Sequence, residues 1–141
     1  MASVIYNAAL LNEAKGLIDY DSDTFKVMLV GAGYTPDVDA HAYRSSVTNE
    51  VAGTGYTAGG AASAVTVAQD NTNNRVSISF APVTWTTATI SAARGAVIYK
   101  SRGGAASADE LVAYVDFGAD KSSSGGDFAV TFSTPIYKTA A

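Results

Sequence analysis

The sequence predicts a mainly β protein: an antiparallel β-sandwich or jelly roll of about 7–8 strands with one short N-terminal helix. Three observations lead there. Short runs rich in β-branched and aromatic residues recur along the chain, clusters of Gly, Ser, Asn and Asp separate them, and beyond the first turns of chain no helical period intervenes. With 141 residues the chain suits a single domain, because a chain of about 150 residues buries roughly 70% of the surface its unfolded form exposes. Residues 1–141 are therefore read as one unit: a helix over about 3–16, an irregular arm over about 31–60, and a sandwich built from about 24–30 and 64–133.

The opening helix is read from Val4, Ala8 and Leu11, which fall near a 3.6-residue period, with Ser3 as N-cap and Gly16 as the stop. "TFKVMLV", Thr24 to Val30, reads as a largely buried strand between the acidic "IDYDSD" and the glycines Gly31 and Gly33. The passage from Pro36 to Gly60 shows little periodicity, although "AYRSSVTNEVA" has room for a short helical turn. Ala64 to Gln69 and Arg75 to Phe80 read as a hairpin across "DNTNN", with Val76, Ile78 and Phe80 on one face. "VTWTTATI" adds a strand around the single tryptophan, Trp85, a core anchor. Gly95 to Lys100, Leu111 to Phe117 and Phe128 to Ser133 are read as three further strands, joined by the loops "SRGGAASADE" and "GADKSSSGG".

Composition removes several classes of function. The net charge of −4 supplies no basic stripe for a nucleic-acid backbone, so no nucleic-acid partner is expected. Without cysteine there is no disulfide, thiol chemistry or cysteine-ligated zinc. No apolar run approaches the roughly 18 residues of a membrane span, and "MASVIYNAALLNEAKG" lacks the basic start of a signal peptide, so no membrane partner is expected and the chain is read as staying where it is made. Charged residues make up only 16%, against about 25% in a typical domain, and Ala, Gly, Ser and Thr take their place. A surface of small neutral groups suits close protein contact as well as a mild soluble exterior.

Candidate chemistry was weighed residue by residue. "NEVAGTGYTAGG" contains Gly53-x-Gly55-x-x-Ala58, the minimal dinucleotide fingerprint, and Asp70 lies near the spacing of a ribose-binding acid. The fingerprint requires a buried strand before it and a helix after it. Here a weak segment precedes and a hairpin follows, so no cofactor is expected and the glycines are read as a flexible or closely packed edge segment. His41, the only histidine, lacks a nucleophile elbow around it and is read as a solvated loop residue rather than part of a triad. Asp19, Asp21 and Asp23 alternate like calcium ligands, but Thr24 and Val30 stand where that motif needs glycine and glutamate, so a solvated turn is expected. Asp109 and Glu110 are read as exposed loop acids. No catalytic, cofactor-binding or metal-ligating residue is assigned, and the chain is read as not an enzyme.

The tyrosines are the better candidates for recognition. Tyr99, Tyr114, Phe117, Phe128 and Phe132 lie in strands and are expected largely in the core. Tyr34, Tyr43 and Tyr56 fall in the irregular passage and are read as surface anchors for protein, with carbohydrate stacking as the alternative. Gly53 and Gly55 join them as candidate partner contacts.

The strings "TFKVMLV", "YTPD", "NEVAGTGYTAGG", "VTW", "ATI", "AARGAVIYK" and "LVAYVDFGADKSSSGGDFAVTF" are similar to a family of small tailed-phage virion proteins. Over about Thr24 to Phe132 the chain resembles, more specifically, the jelly-roll capsid cement or decoration proteins. The resemblance implies a non-enzymatic virion protein, assembled in the host cytoplasm, that sits on the outer face of the head. It implies two partners, the major capsid protein, whose neighbouring copies it bridges, and itself as a homodimer. The alternative kept beside it is a tail, fibre or head-surface module with lectin-like contacts to host glycans.

Overall fold

The computed structural model describes residues 3–139. Eight strands form two antiparallel sheets: β1 (Val4–Ile5), β2 (Phe25–Val30), β3 (Ala61–Ser63), β4 (Val65–Asp70), β5 (Arg75–Phe80), β6 (Val83–Lys100), β7 (Leu111–Val130) and β8 (Ile136–Thr139). One sheet has the order β1-β7-β6-β2-β3 and the other β4-β5-β8. Of the two forms expected, the strand order is a five-on-three sandwich, with one helix, α1 (Asn7–Ala14), and single 3-10 turns at Arg44–Ser46 and Ala106–Ala108.

The pleat decides the layers. Along β2 the odd positions Phe25, Val27 and Leu29 face the smaller sheet, meeting Ile78 and Phe80 of β5 in the main core with Val83, Trp85 and Ile98. The even positions Met28 and Val30 face the other way, into a second core with Tyr6, Tyr34, Val97, Tyr99, Leu111 and Tyr114. The large sheet is thus covered on both faces, which explains why "FKVMLV" reads as an apolar run rather than an alternation. Aromatic rings knit the main core together: Tyr20 stacks on Phe25 at 5.3 Å, and Phe80 meets both Phe25 and Phe132 edge-on.

The strands β4 and β5 match the expected hairpin, and Asp70 closes its turn by accepting from the N–H groups of Thr72 and Asn73. Three other expectations are corrected. The helix is shorter than 3–16, because Val4 and Ile5 pair with Tyr114 and Ala113 instead of forming a first turn. Ser3 caps nothing there and accepts from the Asp116 N–H at 2.9 Å, whereas Gly16, at φ +75°, does end the helix. The buried face is Ala9 and Asn12, while Leu11 is 53% exposed.

The third correction is the largest. "VTWTTATI" and "GAVIYK" are one continuous strand, and "LVAYVDF", "GADKSSSGG" and "FAV" are another, paired from Val83↔Val130 to Tyr99↔Leu111. Register shifts absorb the irregular sequence in the middle, and left-handed residues bend the strands without ending them: Thr87 and Ala92 on β6, Gly118 and Gly125 on β7. Only "SRGGAASADE" is a loop, as expected. Chain beyond Val130 returns as β8 on β5, an element the sequence reading did not contain.

Candidate interaction site

The passage 31–60, expected as a projecting arm, is stitched to the large sheet, and this decides the fate of the five candidate contacts. The outer edge of β2 is paired with β3 only as far as Val27. Beyond it, Leu29 donates its N–H to the Tyr56 hydroxyl (3.0 Å) and accepts from the Val51 N–H (3.0 Å), and the Gly31 N–H reaches the Asn49 carbonyl. The same passage bonds β6 through the Thr89 N–H and the Thr54 carbonyl. An open edge of N–H and C=O groups is thereby satisfied by irregular chain, as buried backbone requires.

Tyr56 is consequently an internal strut, not a surface anchor. Its hydroxyl donates to Glu50 Oε1 at 2.7 Å while accepting from Leu29, and its ring packs 5.5 Å from Trp85. Burial pushes its hydroxyl well above the usual tyrosine range. Glu50 Oε1 also accepts from the Gly59 N–H. The close contacts explain the glycines: a Cβ on Gly53 would stand 1.9 Å from the Thr89 carbonyl oxygen, and Gly55 sits at φ +81° against Ala88. Of the two sequence alternatives for this segment, close packing is the one found. Both glycines are required by the fold, and both lie exposed at the surface.

Tyr34 is likewise corrected, being only 2% exposed. Its hydroxyl lies 2.7 Å from that of Tyr6 and 3.0 Å from His41 Nδ1, and its ring stacks on the imidazole. His41 Nδ1 also accepts from the Asp37 N–H, so the imidazole pins a turn rather than standing solvated. Tyr43 alone of the three tyrosines presents its side chain, with 42% exposure, beside the bridge from its backbone to Glu110.

Asp109 and Glu110, expected as exposed, are 1% and 4% exposed. Asp109 accepts from Arg44 Nε and from the Arg102 N–H, both at 2.8 Å, while Arg102 grips Glu110 through Nε (2.6 Å) and Nη2 (3.1 Å). The Arg44 guanidinium also lies over the Tyr99 ring, 5.1 Å from its centre. Each of these carboxylate oxygens already holds a donor, so the cluster is built to fasten the loop between β6 and β7 rather than to move a proton. One sequence signal pointed this way: the acids directly precede the apolar run "LVAY", where burial starts.

Asp19 accepts from the Ser22 hydroxyl and the Asp21 N–H, which hold its carboxyl below the usual carboxylate range, and Asp23 takes the Asp19 N–H and Lys100 Nζ. Among the described residues no group of three or more His, Cys, Asp or Glu side chains could hold a metal ion.

One surface open to a partner is the half of the β6–β7 ribbon that extends past β1 and β2. Thr84, Thr86, Thr89, Ala119, Ser122 and Ala129 are exposed along it, with Lys121 and Asp127 as charges beside Arg94, which pairs with Asp116 at 3.3 Å and Asp120 at 3.9 Å. A groove of about 310 Å³ runs beside it, lined by Phe117, Phe128 and Val130 among others. A second groove, about 420 Å³, opens between β1 and residues 132–136, with Ile5 on its rim. No protein-family model matches the chain, and neither a curated protein nor a solved structure matches it.

Proposed function

We propose that this chain is a non-enzymatic structural protein of a phage head, a cement or decoration protein that lies on the outer shell and bridges neighbouring copies of the major capsid protein. The observation that carries the reading is the outer half of the β6–β7 ribbon, a long, internally bonded surface rich in threonine, serine, alanine and glycine, on which Arg94 is paired with Asp116 and Asp120. Such a surface approaches a partner closely and desolvates little charge, as the centre of a protein interface requires. On a repeating lattice many modest contacts of this kind add through multivalency, so no single contact has to be strong. Assembly with a second copy belongs to the same reading.

Tyr43, exposed beside the Arg44–Asp109 pair, replaces Tyr56 as the tyrosine to test for shell contact, because its ring is presented and its neighbourhood is rigid. The experiment is co-sedimentation of the protein with capsid shells that lack it, counting bound copies per capsid subunit. Binding at a copy number comparable to the capsid protein, weakened by Tyr43→Ala, is the expected result. A handful of copies or none overturns the cement reading and moves the protein to the tail or fibre, where a glycan array is the next assay.

A further inference from the structure

A sheet edge left open invites another strand, and proteins guard such edges with brevity, lysine, proline, bulges or covering chain. Among the described residues every edge but one is guarded, the stretch of β6 past β2 by the left-handed Thr87 and Ala92 and by the Thr54 carbonyl on the Thr89 N–H. β1 and β3 have two and three residues. The outer edge of β2 is sealed by the passage 49–60, as described. The free stretch of β7 carries Lys121 and is bent at Gly118 and Gly125 opposite a shifting register. β8 follows Pro135 and contains Lys138.

β4 has none of these devices. Its sequence, "VTVAQD", holds no lysine, proline or glycine, and it pairs with β5 at six consecutive positions without a shift. Among the described residues, its outer side receives no backbone bond. The bond from the Ala81 N–H to the Ala64 carbonyl sets the phase of the ladder. By the alternation of antiparallel pairs, Thr66, Ala68 and Asp70 turn their backbone groups to β5, and Val65, Val67 and Gln69 turn theirs outward.

We propose that β4 pairs with β4 of a second copy, antiparallel about a two-fold axis at Val67, joining the two small sheets into one. The strand is self-complementary in this register: Val65 meets Gln69 of the second copy and Val67 meets its counterpart, so outward residues meet outward residues and exchange both their bonds. The faces also agree. Val65 and Val67 stand on the side of Phe80 and Ile78, and Val67, 40% exposed, rims a groove of about 320 Å³ lined by Ile18, Tyr20 and Ile78, with Asp19 and Asp21 at its polar side. The axis brings the two Val67 side chains, the apolar part of each rim, together. The one charge of the strand, Asp70, falls opposite Ala64 of the second copy, so no like charges face each other. This deepens the self-association part of the function proposed above, and its test in free solution succeeds or fails independently of shell binding.

The chain contains no cysteine, so Val67→Cys installs a single thiol at the axis. Sedimentation velocity of the intact wild-type chain over a wide concentration range is expected to show a reversible monomer–dimer equilibrium. Val67→Lys, which sets two ammonium groups face to face, is expected to weaken the dimer by about tenfold or more while leaving the thermal midpoint of the monomer in place. Mild oxidation is expected to cross-link Val67→Cys and not Thr66→Cys, which lies off the axis on the opposite face. A wild-type chain that stays monomeric, a dimer indifferent to Val67→Lys, or cross-linking through Thr66→Cys in place of Val67→Cys overturns the proposal. If Val67→Lys does not fold, the cross-linking pair decides alone.

Discussion

Replacing Tyr56 by phenylalanine removes a single oxygen, yet that oxygen accepts the Leu29 N–H and donates to Glu50, and Leu29 is fully buried. The Glu50 carboxylate keeps the Gly59 N–H, but the Leu29 N–H loses its acceptor where water cannot replace it. An orphaned buried donor costs about 1–3 kcal/mol. For a domain of this size each kilocalorie moves the thermal midpoint by roughly 3–4 °C, so Tyr56→Phe is expected to melt about 3–12 °C below wild type. Tyr56→Ala also removes the ring packed against Trp85 and is expected to cost about 3–5 kcal/mol, by the usual scale of aromatic truncation in a core. Differential scanning calorimetry on the three proteins at one pH measures both steps. A Tyr56→Phe midpoint within about 1 °C of wild type refutes the argument that the tyrosine hydroxyl closes the β2 edge. The same numbers explain why Tyr56→Ala cannot serve as a clean test of partner binding: lost binding would report a damaged fold.

Two further predictions follow from the same geometry. Gly60 has φ +79°, and a Cβ there would stand 1.8 Å from the Val27 carbonyl oxygen, so Gly60→Ala is expected to lose at least about 2 kcal/mol in urea unfolding, while Gly104→Ala, which meets nothing within 4 Å, is expected to stay within about 0.5 kcal/mol. Burial pushes the Tyr99 hydroxyl up to about 12, against a smaller opposite pull from Arg44, and burial also raises Tyr6, Tyr20 and Tyr56. The folded chain then holds these protons more tightly than the unfolded chain, so the tyrosines' contribution to stability is level below about pH 10 and is lost as pH rises toward 12, by about 2 kcal/mol for Tyr99 alone. Tyrosinate absorbance at high pH is expected to rise together with loss of the far-ultraviolet β signal; an early, separate rise of the buried tyrosines sinks this account.

How far the sequence could be read depended on where its local chemistry and its tertiary setting agreed. "TFKVMLV" is a β-branched apolar run bounded by turn residues, and the β4–β5 hairpin has the right residues and a turn acid at Asp70, so pattern and structure coincide. The β6–β7 ribbon could not be read as two strands, because Gly118 and Gly125 carry the residue type of a loop while serving as bends inside a strand, and the left-handed Thr87 and Ala92 have no sequence signature at all. The tyrosines were legible as anchors but not in direction. Whether Tyr34 and Tyr56 face a partner or the protein depends on which side of the sheet the 31–60 passage lies, and periodicity carries no information about a passage that has none. The burial of Asp109 and Glu110 is not legible because Arg44 approaches from a distant part of the chain, and Arg102, within the same loop, has no periodic pattern to aim it.

The pairing of β2 has a temporal side as well. Its inner edge meets β6, Val27 lying opposite Ile98, and its outer edge waits for β3 and the tyrosine at 56, so every backbone partner along its two edges is translated after it. A chain emerging from the ribosome would carry a bare apolar strand until most of the sequence has been made, and pairings so distant in sequence form slowly. The ribbon of β6 and β7, joined by one short loop, supplies the earliest sizeable template for β2 to dock on. Folding on this topology is therefore a late event, led from the C-terminal half of the chain.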